Sequence, residues 1–140
     1  MPLLAAGGFA WHEAMERFPC EALMQPAAIK PTITIDDLAK VDVRVGTIVA
    51  ADDVPGSRKL ARLTVDFGDR TRSVVAGLRA ERADVSVLVG RQALFVVNLA
   101  PRTMAGVVSE AMLFDIGYAD GIVPVLAVPE SAVPNGARAG

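Results

Sequence analysis

Few side chains here are equipped to make or break bonds. The chain holds one histidine, His12, and one cysteine, Cys20. Any Ser–His–Asp or Cys–His constellation would have to recruit His12, which sits in an atypical N-terminal segment and has no evident orienting partner. A Cys/His metal cage and an intrachain disulfide are both excluded by count. Cysteine usage this sparse fits a reduced, cytoplasmic setting. Two carboxylate pairs, Asp36-Asp37 and Asp52-Asp53, stand side by side in the sequence. Adjacent residues diverge on a helix and alternate on a strand, so neither pair converges on one reacting atom. They read as a helix start and a loop. No Gly-x-x-x-x-Gly-Lys-Ser/Thr phosphate loop occurs. The expectation is a protein without catalytic residues, metal or cofactor.

A second set of residues suits binding better than catalysis. Ser57, Arg58 and Lys59 lie where a loop enters a strand, Asn98 and Arg102 flank the end of an apolar run, and Ser109 opens the stretch that holds Met112. Cationic groups in such positions neutralise phosphates. Asn and Ser can hydrogen-bond bases or sugars, and Met offers a soft apolar platform. Structural roles compete: turn stabilisation for Asn98 and Ser109, core packing for Met112. Charge is uneven along the chain. Residues 57–110 hold 9 basic and 5 acidic residues, net +4, within a total of −2. That segment forms either a basic patch or a set of solvated arginines on strand edges and loops.

The elements that must position these residues are short strands. At 140 residues with 52% hydrophobic but only 5% aromatic content, the chain has the size of one domain with a Val/Leu/Ile/Ala core. Residues 1–31 read as an N-terminal extension, with an amphipathic run from Trp11 to Met24 broken by Pro19 and a linker bracketed by Pro26 and Pro31. Residues 32–140 form the domain. Met1–Ala10 is apolar with no Lys or Arg before it, and no apolar run is long enough for a membrane span, so no membrane association is expected. Asp36-Asp37 opens a single helical turn over Ile35–Lys40. Val41, Val43, Val45, Thr47 and Val49 alternate as one strand face, with Gly46 marking a bulge or sharp coil.

After the Val54-Pro55-Gly56-Ser57 turn, Ala61, Leu63, Val65 and Phe67 point one way, and Gly68-Asp69 closes a hairpin onto Thr71–Ala76. Leu78–Asp84 reads as a short helix. Ala93–Leu99 reads as a strand buried on both faces, ended by Pro101. Ala111–Ile116 and Ile122–Val128 complete the strands. Phe67, Phe95 and Phe114 read as core. This order, an all-β barrel with a short helix between strands 3 and 4, is that of an OB-fold.

The sequence also resembles a family. The blocks that carry the resemblance are Val41-Asp42-Val43-Arg44-Val45-Gly46-Thr47-Ile48, Ser57-x-Lys59-Leu60, Leu63 to Gly68, Val74-Val75-Ala76-Gly77-Leu78 and Gly90-Arg91. The most specific follow: Val97-Asn98-Leu99-Ala100-Pro101-Arg102-x-Met104-x-Gly106, then Ser109-x-x-Met112-Leu113, and last Val133-Pro134-x-Gly136. Over residues 33–138 the chain looks like the tRNA-binding domain found on methionyl-tRNA synthetases, as a free-standing tRNA-binding protein, and as the secretion chaperone CsaA. The resemblance implies a tRNA partner and a homodimer. It also implies either an aminoacyl-tRNA synthetase or unfolded, secretory polypeptides as further partners. It places Lys59, Asn98, Arg102, Ser109 and Met112 in an RNA-facing groove. Three positions depart from the family: Arg58 where Asp is frequent, Ala76 where Ser is frequent, and Glu110-Ala111, which brings a carboxylate near the groove. The low aromatic content argues against single-strand stacking and for recognition of tRNA by shape and backbone.

Overall fold

The computed structural model describes residues 24–80 and 82–140. The reading of a helix within residues 1–31 falls almost wholly outside them. Two units are present: Pro31–Ile116 with Pro124–Gly140, and Gly117–Val123 with the chain up to Lys30. In the smaller unit, the backbone N–H groups of Gln25 and Ala27 donate to the Asp120 carbonyl (3.2 Å) and Oδ1 (2.6 Å). Gly117, at φ 104°, starts a 3₁₀ turn over Tyr118–Asp120.

The larger unit opens with helix α1, Ile35–Leu38. Thr34 caps it by accepting from the Asp37 N–H while the Asp37 carboxylate accepts from the Thr34 N–H, a reciprocal box that satisfies two otherwise orphaned donors. Strands follow in the order β1 (Val43–Asp53), β2 (Ala61–Asp66), β3 (Thr71–Ala76), β4 (Gln92–Val96), β5 (Arg102–Met104), β6 (Val107–Ser109), β7 (Met112–Leu113), β8 (Asp115–Ile116), β9 (Val125–Leu126) and β10 (Arg138–Ala139). The main antiparallel sheet runs β3-β2-β1-β4-β7, with β10 also on β1. β5–β6 and β8–β9 are separate two-stranded pairs. The long β1 bridges both halves: its first residues pair with β4 and β10, and its last with β2.

This is an all-β, OB-type barrel, and its curl follows from local features of β1. Gly46 and Ile48 face the central core, not the Val43–Val45–Thr47–Val49 series that alternation suggests; Ile48 is fully buried and Val49 exposed, while Val45 is buried outside the central cluster. The irregularity lies between Ile48 and Ala50, two residues beyond Gly46. It shifts the inward phase, so that Ala51 is the next β1 residue against the core. Gly46 has a different task. A Cβ there would sit 2.5 Å from Val65 Cγ1 and 2.8 Å from Phe67 Cε1, so glycine lets β2 side chains fill the space over β1.

The β2 alternation holds, with Ala61, Leu63 and Val65 fully buried. Phe67 meets Phe95 edge-to-face at 5.4 Å between ring centroids. Phe114 is only half-buried. The helical link between the third and fourth strands consists of two 3₁₀ turns, Leu78–Ala80 and Val85–Leu88. Asp84 caps the second by accepting from the Ser86 N–H (3.0 Å). These turns cover the barrel with Leu78, Val85 and Leu88. Among the described residues no helix is long and apolar enough to cross a membrane.

Candidate nucleic-acid interface

The edge of β3 away from β2 meets the chain around β6 and β7 largely through side chains. Ser109 Oγ accepts from the Val75 N–H (2.9 Å) and donates to the Ala111 carbonyl (3.1 Å). Glu110 accepts from the Ser73 N–H through Oε1 (3.1 Å), and its own N–H donates to the Ser73 carbonyl (2.8 Å). These bonds satisfy an edge that would otherwise stay open. They also turn one oxygen of the Glu110 carboxylate onto a backbone N–H, while its negative charge stays between two residues that line the groove described next.

Over this junction lies a groove of about 360 Å³. Arg102, Ser109 and Met112 line it with Leu99, Met104 and Ala76. Three of the expected binding residues therefore share one surface. Met112 is 45% exposed and Leu99 49%, so the floor is accessible and apolar. Arg102 projects from β5, opposite Ser109 on β6. Its guanidinium has no side-chain partner among the described residues. The hairpin that carries Arg102 turns through Ala105 at φ 51° and Gly106 at φ 80°, the left-handed pair that a two-residue turn between twisted strands requires.

Ser57, Arg58 and Lys59 flank this groove and do not line it. Ser57 Oγ accepts from the Lys59 and Leu60 N–H groups (3.3 and 3.1 Å), which fixes the entry into β2. Arg79 clamps the same loop, donating its N–H to the Lys59 carbonyl (3.0 Å) and Nη1 to the Ser57 carbonyl (3.0 Å). The loop thus sits beside the chain that leaves the groove wall at Ala76. Arg58 and Lys59 are exposed, with no side-chain partner among the described residues. Arg44, Arg70, Arg79 and Arg138, by contrast, are ion-paired.

Asn98 is placed apart from the groove. Its Nδ2 donates to the Lys40 carbonyl (2.6 Å) and its Oδ1 accepts from the Asp42 N–H (2.9 Å), so it ties the approach to β1 onto the end of β4. Its Asp42 neighbour accepts from Arg44 Nε and Nη2 (3.1 and 3.2 Å) and from Arg138 Nε (3.2 Å). The Arg44 hydrogen bond, with Arg138 adding to it and slight burial opposing, holds the Asp42 carboxyl below its ordinary 3.8. A lowered folded-state value means that the unfolded chain binds the proton more readily. The stabilisation is therefore present above 3.8 and lost as pH falls through the lower folded value. Asp42→Asn is expected to flatten that acid limb, read as urea midpoints across a pH series.

The hydroxyl of Ser109 gives a second test. Ser109→Ala leaves the Val75 N–H without its partner, at a cost of about 1–3 kcal/mol. Urea unfolding should register that loss, while the salt dependence of RNA binding should not move. A tenfold loss of RNA affinity at unchanged stability would show instead that the hydroxyl reaches RNA.

Leu99, Met104 and Arg79 were not legible as site residues. Leu99 falls in the stretch read as a buried strand and Arg79 in a stretch read as helix, and Met104 enters only as part of the family motif. Among the described residues no group of His, Cys, Asp and Glu side chains is placed to hold a metal ion.

A small OB barrel whose apolar-floored groove is lined by Arg102 and Asp115, with Arg58 and Lys59 exposed on a neighbouring loop, has the architecture of a nucleic-acid-binding module. The family model described as a tRNA binding domain matches residues 43–138, and the chain belongs to that family. Among solved structures it is similar to a MetRS-related protein of Pyrococcus horikoshii, at 32% identity and TM-score 0.73, covering 79% of this chain and all of that one. It is also similar to the chaperone CsaA of Bacillus anthracis, at 28% identity and TM-score 0.67, covering 79% of this chain and all of that one. The C-terminal domain of Plasmodium vivax p43 shares the fold, at 24% identity and TM-score 0.67 over 74% of this chain and 61% of that one.

Proposed function

We propose that this chain is a non-catalytic, cytoplasmic tRNA-binding module that holds tRNA by shape and backbone and acts as a homodimer. The observation that carries the reading is the juxtaposition of unpaired cations with an accessible groove: Arg102 within it, and Arg58 and Lys59 beside its Ala76 end. Unpaired surface cations are hydrated and displace counterions from phosphates without first breaking an ion pair. Met112, Leu99 and Met104 offer a floor for an exposed base or ribose face. Ser109 and Asn98 act in this reading by positioning β3, β6 and the end of β4. For the dimer, the exposed pair Ile116 and Val125, directly opposite each other on β8 and β9, supplies apolar surface outside the groove lining.

Titration with tRNA across a salt series, together with sedimentation of the free protein, tests the proposal. Affinity that falls linearly on a log–log salt plot, and a sedimenting dimer, are the expected results. No binding at low salt would overturn the RNA reading, and a monomer would overturn the dimer.

The apolar floor also favours a second reading, a protein-interaction module that takes unfolded polypeptide or docks a synthetase. A reduced, unfolded polypeptide that binds without RNA and competes with tRNA for the groove would support it.

A further inference from the structure

A second cleft, of about 260 Å³, opens at the end of the barrel where β1 begins and β4 finishes. Arg44, Arg70 and Arg72 line it with Asp42, Asp69 and Asn98. Arg44 and Arg72 occupy inward positions of β1 and β3, in phase with Gly46 and Val74. At this end of the barrel, charged side chains therefore take the place of core residues. Arg72 donates Nη1 to the Val97 carbonyl (2.8 Å), a neutral acceptor, so its positive charge is uncompensated. Asp42 is shared by Arg44 and Arg138 and neutralises only one of them. The Asp69–Arg70 pair is exposed, at 3.4 Å, and such pairs hold weakly. Three guanidinium groups and two carboxylates line the cleft, net +1 in a chain of net −2, and Arg138 draws on Asp42 from outside it.

From this arrangement we infer that the barrel-end cleft is a phosphate site, with Arg72 as its anchor and Arg70 as its mobile arm. Guanidinium groups present paired N–H donors that match the oxygens of a phosphate. Arg72 is held in place by Val97, which leaves its remaining donors free for a ligand. The inference rests on the tRNA reading only for the source of the phosphate. Val97 and Asn98 line this cleft, whereas Leu99 and Ala100 line the groove. Asn98 and Leu99 are consecutive, so a single peptide step, about 3.8 Å between Cα atoms, separates the two linings. A backbone phosphate of the RNA in the groove reaches this cleft by continuing past that segment. A free phosphate or a phosphorylated small molecule would use the same donors.

The experiment uses the full chain in two arms. In the first, tRNA is titrated across salt with the unsubstituted protein, Arg70→Gln, Asp69→Asn, Arg102→Ala and Arg91→Gln. If RNA supplies the phosphate, Arg70→Gln lowers the log–log salt slope by about one unit. Asp69→Asn, which removes a competing carboxylate, tightens binding. Arg91→Gln, at the opposite end of β4, changes neither. In the second arm, inorganic phosphate and pyrophosphate are titrated while the Nε–H resonances of Arg70 and Arg72 are followed.

Saturable shifts there without any change in the RNA slope assign the site to a free phosphate-bearing ligand. No slope change and no saturable shift overturn the site, even where Arg102→Ala still lowers the slope and leaves the tRNA reading intact. A slope untouched by both Arg102→Ala and Arg70→Gln removes the groove reading and the RNA source together.

Discussion

The double variant Lys59→Ala/Arg102→Ala is expected to lose about two units of salt slope and roughly 100-fold in tRNA affinity at about 0.15 M salt. In the proposed reading each side chain contributes one phosphate contact. A charge-assisted hydrogen bond is worth about 1.5 kcal/mol at the low end, which is roughly tenfold in affinity. The two sit on separate segments, the β1–β2 loop and β5, so their losses should add. Both are exposed, and neither has a side-chain partner among the described residues. Folding stability should therefore stay within about 0.5 kcal/mol of the unsubstituted protein. The same separation makes the outcome informative: affinity lost with the urea midpoint unchanged comes from the charges themselves acting on RNA, by contact or through the local field. Affinity and slope both unchanged would move the RNA surface away from this groove.

How far the sequence reveals this arrangement depends on the kind of residue. The β2 and β3 bounds were readable because Ala61, Leu63 and Val65 alternate without interruption and Gly68-Asp69 closes the hairpin. β1 misleads, because its inward face includes a glycine. Pattern reading treats Gly46 as a defect, whereas in three dimensions its missing side chain is the space that Val65 and Phe67 occupy. Pattern cannot show a bulge at Val49 either, since β-branched residues suit both faces of a strand.

The β5–β6 hairpin was missed because Ala105-Gly106 lacks the Asn-Gly or Asp-Gly signature, although the backbone adopts the left-handed turn. At the site, residue type and function separate. Lys59, Arg102 and Met112, named by the resemblance, are accessible, and so is Arg58, which departs from the family. Asn98 and Ser109 stand at equally characteristic positions, yet their polar atoms bond backbone. A family motif records what a position needs, and satisfying a buried N–H can be as strict a need as touching RNA. The charges of the barrel-end cleft were invisible for a further reason. Arg44 comes from β1 and Arg70 and Arg72 from the β2–β3 hairpin, two segments that only folding brings to one cleft.

The largest effect on stability is expected at Phe95. Its side chain is fully buried, lies on β4 between Arg44 of β1 and Leu113 of β7, and holds Phe67 edge-to-face. Phe95→Ala removes this central ring and should cost about 3–5 kcal/mol, a large share of the roughly 5–15 kcal/mol that domains of this kind possess. The urea midpoint should fall accordingly.

Gly46→Ala stresses the same region from the opposite direction. Its backbone is not left-handed, so the cost is steric: the new methyl group meets Val65 Cγ1 at 2.5 Å and Phe67 Cε1 at 2.8 Å. Overpacking of this sort costs about 1–3 kcal/mol. Phe67 is common to both sites. A smaller side chain in Phe95→Leu gives its ring somewhere to retreat, while Val65 remains in the way. Gly46→Ala should therefore cost less in the Phe95→Leu background, by about 0.5 kcal/mol or more, and the relief should be partial. Strict additivity in that double-mutant cycle would mean that Val65 alone resists the added methyl group and that Phe67 does not couple β1 to β4.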